Sequence, residues 1–310
     1  MRAARIHQFG APNVIVIDEI ERPTPAAGEV LIRVAAAGVG PWDAWIREKK
    51  SVVSVTLPLI LGSDLSGTVE MVGPGVPGFS VGDLVYGVTN PQFCGAYAEF
   101  ALASAAMLAP KPKSLTHIEA ASAPVVAVTA WQMLHDYAQA KSGQSVLIHG
   151  AAGNVGAYAV QLARRAQLNI IATASANDAE YIRQLGADRV LDYHTTRFEQ
   201  EIPPVDIVLD LVGGEIRSRS IPLIKPGGIL VSVVSPITEA EKASGVRAVF
   251  FLVEVTTARL NTLTDLFDRH QLVPQVGAVL PLEQVQIAHQ MLAGAPHKRG
   301  KIVLCLSATP

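Results

Sequence analysis

Residues 145–166 read SVLIHGAAGNVGAYAVQLARRA. The run Val146-Leu147-Ile148 is apolar and short enough for a buried strand. Behind it, Val155, Ala159, Leu162, Ala163 and Ala166 recur at helical spacing. Arg164 and Arg165 fall late, where cations suit a helix C-terminus. Glycines at 150, 153 and 156 stand at the junction. The first turn of a helix presents unpaired N–H groups and the positive end of its dipole. Gly153 would let the backbone approach a pyrophosphate, and Gly156 would let the helix pack close to the strand. The usual first glycine of G-x-G-x-x-G is Ala151 here, and Asn154 and Val155 complete the turn. The pattern alone is weak, but between a strand and a helix it reads as a dinucleotide-binding turn.

Downstream, apolar runs at NIIATAS (169–175), DRVLDY (188–193), VDIVLDLVG (205–213) and GGILVSVV (227–234) are separated by amphipathic segments such as AEYIRQLGA (179–187). Strand–helix alternation with short connections implies a parallel, doubly wound sheet. VFFLVEV (249–255) is its expected sixth strand. Two helices (ARLNTLTDLFDRH and LEQVQIAHQMLAG) and a terminal strand, KIVLCL (301–306), follow. Upstream, residues 1–115 are strand-like and turn-rich, with VLIRVAAAGV (30–39) as a strand and residues 65–88 as strands broken by Gly and Pro.

A chain of 310 residues is too long for one ordinary core, so two domains are expected. Its formal net charge is −2 with no basic block, which argues against nucleic acid or an anionic membrane as partner. Cys94 and Cys305 provide neither a disulfide framework nor a Cys-rich zinc module. The opening MRAARIHQFGAPN lacks the apolar core of a signal peptide. Residues 145–163 are uncharged but carry glycines, an Asn and a His, and read poorly as a membrane span. The expectation is a reduced, cytoplasmic α/β enzyme acting on a small molecule.

The first half contains AGVGPWDAW, LGSDLSGTVEMVG, GDLVYG and GAYAEF; the second contains IHGAAGNVG, RQLGADRVLDY, IVLDLVGG, LIKPGGILVSV and RGKIVL. In that order, over nearly the whole chain, they resemble the zinc-free branch of the medium-chain dehydrogenase/reductases, the quinone oxidoreductase group. The resemblance implies an α/β fold with a Rossmann doubly wound parallel sheet inserted into a GroES-like β-rich catalytic domain. The expected boundaries are 1–120 and 257–310 for the catalytic domain and 121–256 for the Rossmann domain, with the cofactor in the cleft between them.

Zinc-dependent relatives place a Cys after the A-G-x motif, where this chain has Gly40, and have G-H-E where it has Gly62-Ser63-Asp64. The segment 123–130 offers no Cys either, and the histidines are scattered. Zinc needs three or four convergent ligands, so no zinc is expected. NAD-selective Rossmann sites carry an acid at the tip of the second strand. Here that tip is Ala174 and Ser175, and Ser175 can hydrogen-bond a 2′-phosphate, so NADPH is expected over NADH. The family's Lys or Arg soon after this Ser is missing from residues 176–182. Arg183 is a substitute or a solvated helix residue, and Asp178 is expected to cap the following helix.

The resemblance further assigns Tyr193 to the adenosine end. It assigns Thr129, Val212, Val234, Ser235, Phe251, Val253, Gly40 and Lys301 to the remainder of the cofactor. Thr129 back-bonding within a helix and Val234 as a plain strand residue stay open. Trp42, Asp43 and Trp45 would form the substrate pocket, with Tyr97 the nearest phenol; packing roles for these residues also stay open. The family's Asn and Tyr are replaced by Gly40 and Trp45, leaving a flat aromatic surface suited to a planar acceptor. The expected chemistry is direct hydride transfer to a quinone or to the β-carbon of an enone, with protonation from solvent. An enoyl-thioester reductase is an alternative, but it needs a basic entrance that the chain does not show. A nucleotide-binding regulatory or partner-binding protein without turnover is another. VFFLVEV, as an apolar sheet edge, predicts a homodimer.

Overall fold

The computed structural model describes residues 1–306. The chain divides into two units: Met1–Val125 together with the chain from Val255 onward, and Val126–Glu254.

The first unit opens with β1 (Arg2–Ile6), β2 (Ile15–Glu19), β3 (Glu29–Val39), α1 (Pro41–Arg47), β4 (Leu59–Ile60), β5 (Asp64–Val72), β6 (Leu84–Val88), β7 (Phe100–Ser104), β8 (Leu108–Pro110) and α2 (His117–Ala121). The chain then passes through α3 (Pro124–Trp131) into the second unit. This contains β9 (Ser145–Ile148), α4 (Asn154–Arg165), β10 (Asn169–Ala174), α5 (Ala179–Gln184), β11 (Arg189–Asp192), α6 (Phe198–Glu201), β12 (Val205–Asp210), α7 (Gly214–Ser220), β13 (Ile224–Ser232), α8 (Glu239–Ala243) and β14 (Arg247–Phe250). The return to the first unit brings α9 (Thr257–Asp268), β15 (Val276–Pro281), α10 (Val285–Leu292) and β16 (Lys301–Cys305).

In the first unit, β2-β1-β4 form a small sheet and β15-β16-β3-β5-β6-β8 a larger one, with β7 also on β3. The long β3 serves two neighbours in succession on one side. Glu29–Arg33 pair with β7 and Ala36–Val39 with β16. Ile32, Val34, Leu65, Val85, Val285 and Ile302 pack into its core. The terminal strand therefore belongs to the sheet that the N-terminal half builds, which ties the two ends of the chain together.

In the second unit the strand order is β11-β10-β9-β12-β13-β14, and every pairing is parallel. This is the 3-2-1-4-5-6 order of the Rossmann fold, and it turns at β9. Val146, Leu147 and Ile148 are fully buried, as a central strand covered on both faces requires. The sixth strand departs from expectation. It spans Arg247–Phe250, and the rest of VFFLVEV leaves the ladder. Phe251 is instead buried against Tyr137, ring centroids 4.3 Å apart, and Leu252 is 67 % exposed. The apolar run thus reflects a tertiary aromatic contact beyond the strand, not a longer strand. Among the described residues no helix is long and apolar enough to cross a membrane.

Candidate functional site

The glycine turn occupies the end of β9. Gly150 takes a left-handed φ of 66°, and its carbonyl accepts the Gly153 N–H at 3.0 Å. The Ala151 N–H reaches across to the Thr173 carbonyl. Gly153 is the N-cap of α4, and no side chain caps that helix. A Cβ on Gly153 would meet only the Gly150 oxygen, at 3.3 Å. A Cβ on Gly156 would strike that same oxygen and lie 2.7 Å from the Ala151 Cα. Gly156 therefore permits the helix–turn packing, while Gly153 keeps the approach clear. An open helix N-terminus with no side chain over it fits the pyrophosphate of a dinucleotide. Asn154 and Val155 form its first turn, half-buried.

At the tip of β10, the Tyr193 N–H bonds the Ala174 carbonyl at 3.2 Å, placing Tyr193, 54 % exposed, beside Ala174 and Ser175. The Ser175 hydroxyl donates to the Asp178 carboxylate at 2.7 Å. Asp178 occupies the N-cap of α5, but its side chain makes no capping hydrogen bond. This corrects the expectation that it caps the helix: its Oδ2 faces back to the strand tip. Arg183 pairs with Glu180 at 3.6 Å on an exposed helix face.

Past β12, the Asp210 carboxylate accepts the Val212 and Gly213 N–H groups and the Ser232 hydroxyl, at 2.7 to 3.1 Å. Val212 and Val234 are exposed beside this knot. The neighbouring segment is held by Arg217, which sequence reasoning missed. Its buried guanidinium donates to the Ser235 carbonyl at 2.8 Å and hydroxyl at 3.1 Å, and to the Pro236 carbonyl at 3.3 Å. It also pairs with Glu241 at 2.7 Å. In sequence, Arg217 and the more exposed Arg219 of GGEIRSRS look alike. Thr129 is buried in α3, and Val253 is half-buried in the segment after β14.

His149 lies directly before the turn and is buried. Ser220 donates its hydroxyl to the Ile216 carbonyl, so His149 Nε2–H donates to Ser220 Oγ at 2.8 Å. Nδ1 then accepts from the Thr173 hydroxyl at 3.0 Å. The neutral ring is thus satisfied on both sides, and burial pushes its pKa down to about 4. Unfolding returns this His to about 6.5, so below that pH the unfolded chain binds the extra proton. Stability is therefore expected to fall as pH drops from 6.5 toward 4, by about 3 kcal/mol from this residue. His289, pushed down to about 3 by burial in the first unit, acts in the same direction. Urea midpoints measured against pH check this. His149→Gln should flatten the slope, and an unchanged slope would contradict the assignment.

In the first unit, α1 carries the residues expected to form the substrate pocket. The Trp42 indole packs over Gly40, where a Cβ would lie 2.6 Å from Trp42 Cε2. Gly40 and Trp42 are therefore coupled: the ring fills the space that a side chain at 40 would take. Trp42 Nε1–H donates to Ser63 Oγ at 3.0 Å, and Lys301 Nζ lies 4.2 Å from the ring centroid. Trp45 is 51 % exposed. Asp43 Oδ2 accepts the Gly40 N–H at 2.8 Å and the Tyr97 hydroxyl at 2.7 Å, and both side chains are fully buried. Burial pushes the Asp43 carboxyl up to about 7, and the Tyr97 phenol well above its usual value. Tyr97 is therefore an internal donor that anchors α1: of the two roles left open for it, the buried packing role is the one this geometry fits. Asp43 is likewise turned inward. Arg47 fastens the other end of the helix, reaching the Gly10 carbonyl at 2.9 Å and His289 Nδ1 at 2.7 Å. Lys301 is also corrected: its buried ammonium pairs with Asp64 at 3.0 Å instead of being presented to a cofactor.

A family profile described as "Alcohol dehydrogenase GroES-like domain" matches residues 26–113, and one described as "Zinc-binding dehydrogenase" matches residues 185–304. The quinone oxidoreductase of Mus musculus is 30% identical, across 99% of this chain and 98% of its own. The chain belongs to the quinone oxidoreductase group of the medium-chain dehydrogenase/reductases. The structure of the quinone oxidoreductase from Coxiella burnetii superposes with a TM-score of 0.93 at 34% identity, covering 99% of both chains. A mycobacterial structure complexed with NADPH gives 0.87 at 30% identity, covering 99% of this chain and 100% of that one. The protein is an NAD(P)H-dependent oxidoreductase of this family. The zinc named in one family description does not fit these residues. Ser63 is bonded to an indole, Asp64 to an ammonium, and among the described residues no cluster of three His, Cys, Asp or Glu could hold a metal.

Proposed function

We propose that the protein reduces quinones or α,β-unsaturated carbonyl compounds by metal-independent hydride transfer from NAD(P)H. The observation that carries the reading is the state of Ser63: it stands where zinc-dependent relatives have the His of G-H-E, and its hydroxyl accepts the Trp42 indole N–H. Without a Lewis acid, a simple alcohol is a poor substrate, whereas an electron-poor alkene or quinone accepts hydride directly. The 151–156 turn would hold the pyrophosphate. Ser175 and Tyr193 would meet the adenosine ribose, and Val212, Val234 and Ser235 the nicotinamide end. Bound there, the dihydronicotinamide supplies the hydride. The chain contributes orientation and exclusion of water, with Arg217 and Asp210 keeping the 232–236 segment in place. The exposed Trp45 offers a flat surface to a planar acceptor. Because the Tyr97 hydroxyl is committed to Asp43, protonation of the product comes from solvent.

Steady-state oxidation of NADH and NADPH against a panel of quinones, enones, enoyl thioesters and simple alcohols tests this. Turnover confined to quinones and enones is expected. Preference for enoyl thioesters would favour an enoyl-thioester reductase, and no turnover at all would favour a regulatory role. A homodimer is part of the reading, supported by β14 at the sheet edge and by the exposed Leu252. Sedimentation of Leu252→Glu should shift a dimer toward monomer, and a monomeric unmodified chain would refute it.

A further inference from the structure

The tip of β10 decides which dinucleotide a Rossmann site prefers. In sequence the tip has no acid, since Ala174 and Ser175 close the strand. The fold returns one from three residues further on. The short turn Ala176–Asp178 folds back, with the Asp178 N–H on the Ser175 carbonyl at 3.0 Å. That places Asp178 Oδ2 2.7 Å from Ser175 Oγ.

Two consequences follow for the ribose. The Ser175 proton already points to a carboxylate, so this hydroxyl has no proton left for a phosphate oxygen and offers only lone pairs. A 2′-phosphate would also be set beside a carboxylate, and residues 176–182 contain no Lys or Arg to hold the phosphate. The nearest later cation, Arg183, is paired with Glu180. A ribose 2′-hydroxyl behaves in the opposite way. It is a donor, and a half-buried carboxylate next to the strand tip is a good acceptor for it. Asp192, whose Cα pairs with that of Ala174 across the sheet, adds a second acid at the same end of the strands.

We propose that Asp178 is a specificity-determining residue that makes this site take NADH in preference to NADPH. The inference rests on the dinucleotide reading of the glycine turn and reverses the NADPH expectation drawn from the sequence.

Calorimetric binding of NADH, NADPH, ADP-ribose and its 2′-phosphorylated form to the unmodified chain, Asp178→Asn and Asp178→Lys tests it without turnover. The unmodified chain should bind NADH at least about tenfold tighter than NADPH, with the same order for the two ADP-ribose probes. Asp178→Asn should narrow the ratio, and Asp178→Lys should invert it. Equal or tighter NADPH binding by the unmodified chain would overturn the proposal, as would a ratio that neither substitution moves. If neither dinucleotide binds any of these proteins, the cofactor reading itself fails, and the proposal with it. Circular dichroism confirms folding. Should Asp178→Lys misfold, the unmodified and Asp178→Asn ratios still decide.

Discussion

Replacing Lys301 with Met is expected to lower the free energy of unfolding by about 3 kcal/mol, because it strands a buried carboxylate. Asp64 is fully buried. Its Oδ1 accepts the Val125 N–H at 3.1 Å, and its Oδ2 lies 3.0 Å from the Lys301 ammonium. Burial already pushes the Asp64 carboxyl up, and Lys301 is the largest opposing influence. Without that ammonium the carboxyl rises further, so the unfolded chain releases the proton more readily. The loss should therefore grow as pH rises above the ordinary Asp range near 3.8. Removing both charges in Lys301→Met with Asp64→Leu should recover most of the stability, since a buried pair is often replaceable by apolar groups. Denaturant midpoints for the single and double variants decide. A single variant as stable as the unmodified chain would mean that the pair is not buried as described.

Gly156→Ala sets two effects of opposite sign against each other. Alanine favours a helix over glycine by about 1 kcal/mol, so propensity alone predicts a more stable protein. The added Cβ, however, meets backbone atoms of the turn, which cannot swing aside: the Gly150 oxygen, and Ala151 Cα and C at 2.7 and 2.8 Å. A net loss of about 2 kcal/mol is expected, from strain of the kind that overpacking brings. Dinucleotide binding should weaken with it, because relief requires the turn itself to move. Gly153→Ala, with a single contact at 3.3 Å and the loss of a glycine N-cap, is the milder comparison and should lower the unfolding midpoint less than Gly156→Ala does. If Gly156→Ala is the more stable of the two, the close packing of turn and helix is wrong.

The parts of the fold that depend on local period were legible. Val146–Ile148 followed by glycines and an amphipathic helix could be read residue by residue, because strand burial and helical spacing are both written along the chain. VFFLVEV misled because an apolar run does not say what buries it. Arg247–Phe250 form the strand, and Phe251 owes its burial to Tyr137, over a hundred residues earlier. The site was harder. Asp178 lies three residues past the strand tip, and only the folded turn brings its carboxylate to Ser175. Gly40 looked like a lost polar group, yet the Trp42 ring two residues on leaves no room for one. Tyr97 and Lys301 carry suitable chemistry in sequence, but Asp43 and Asp64 bind that chemistry inside the first unit.

Hydride transfer itself is tested most directly by isotope tracing. NADH deuterated at the transferred C4 position is incubated with the protein and an enone, and the reduced product is examined by mass and NMR spectroscopy. Deuterium on the β-carbon, with hydrogen from solvent on the α-carbon, is the predicted result. A reduced product with no deuterium on the β-carbon, or a dinucleotide left unoxidised by every enone and quinone supplied, would contradict it.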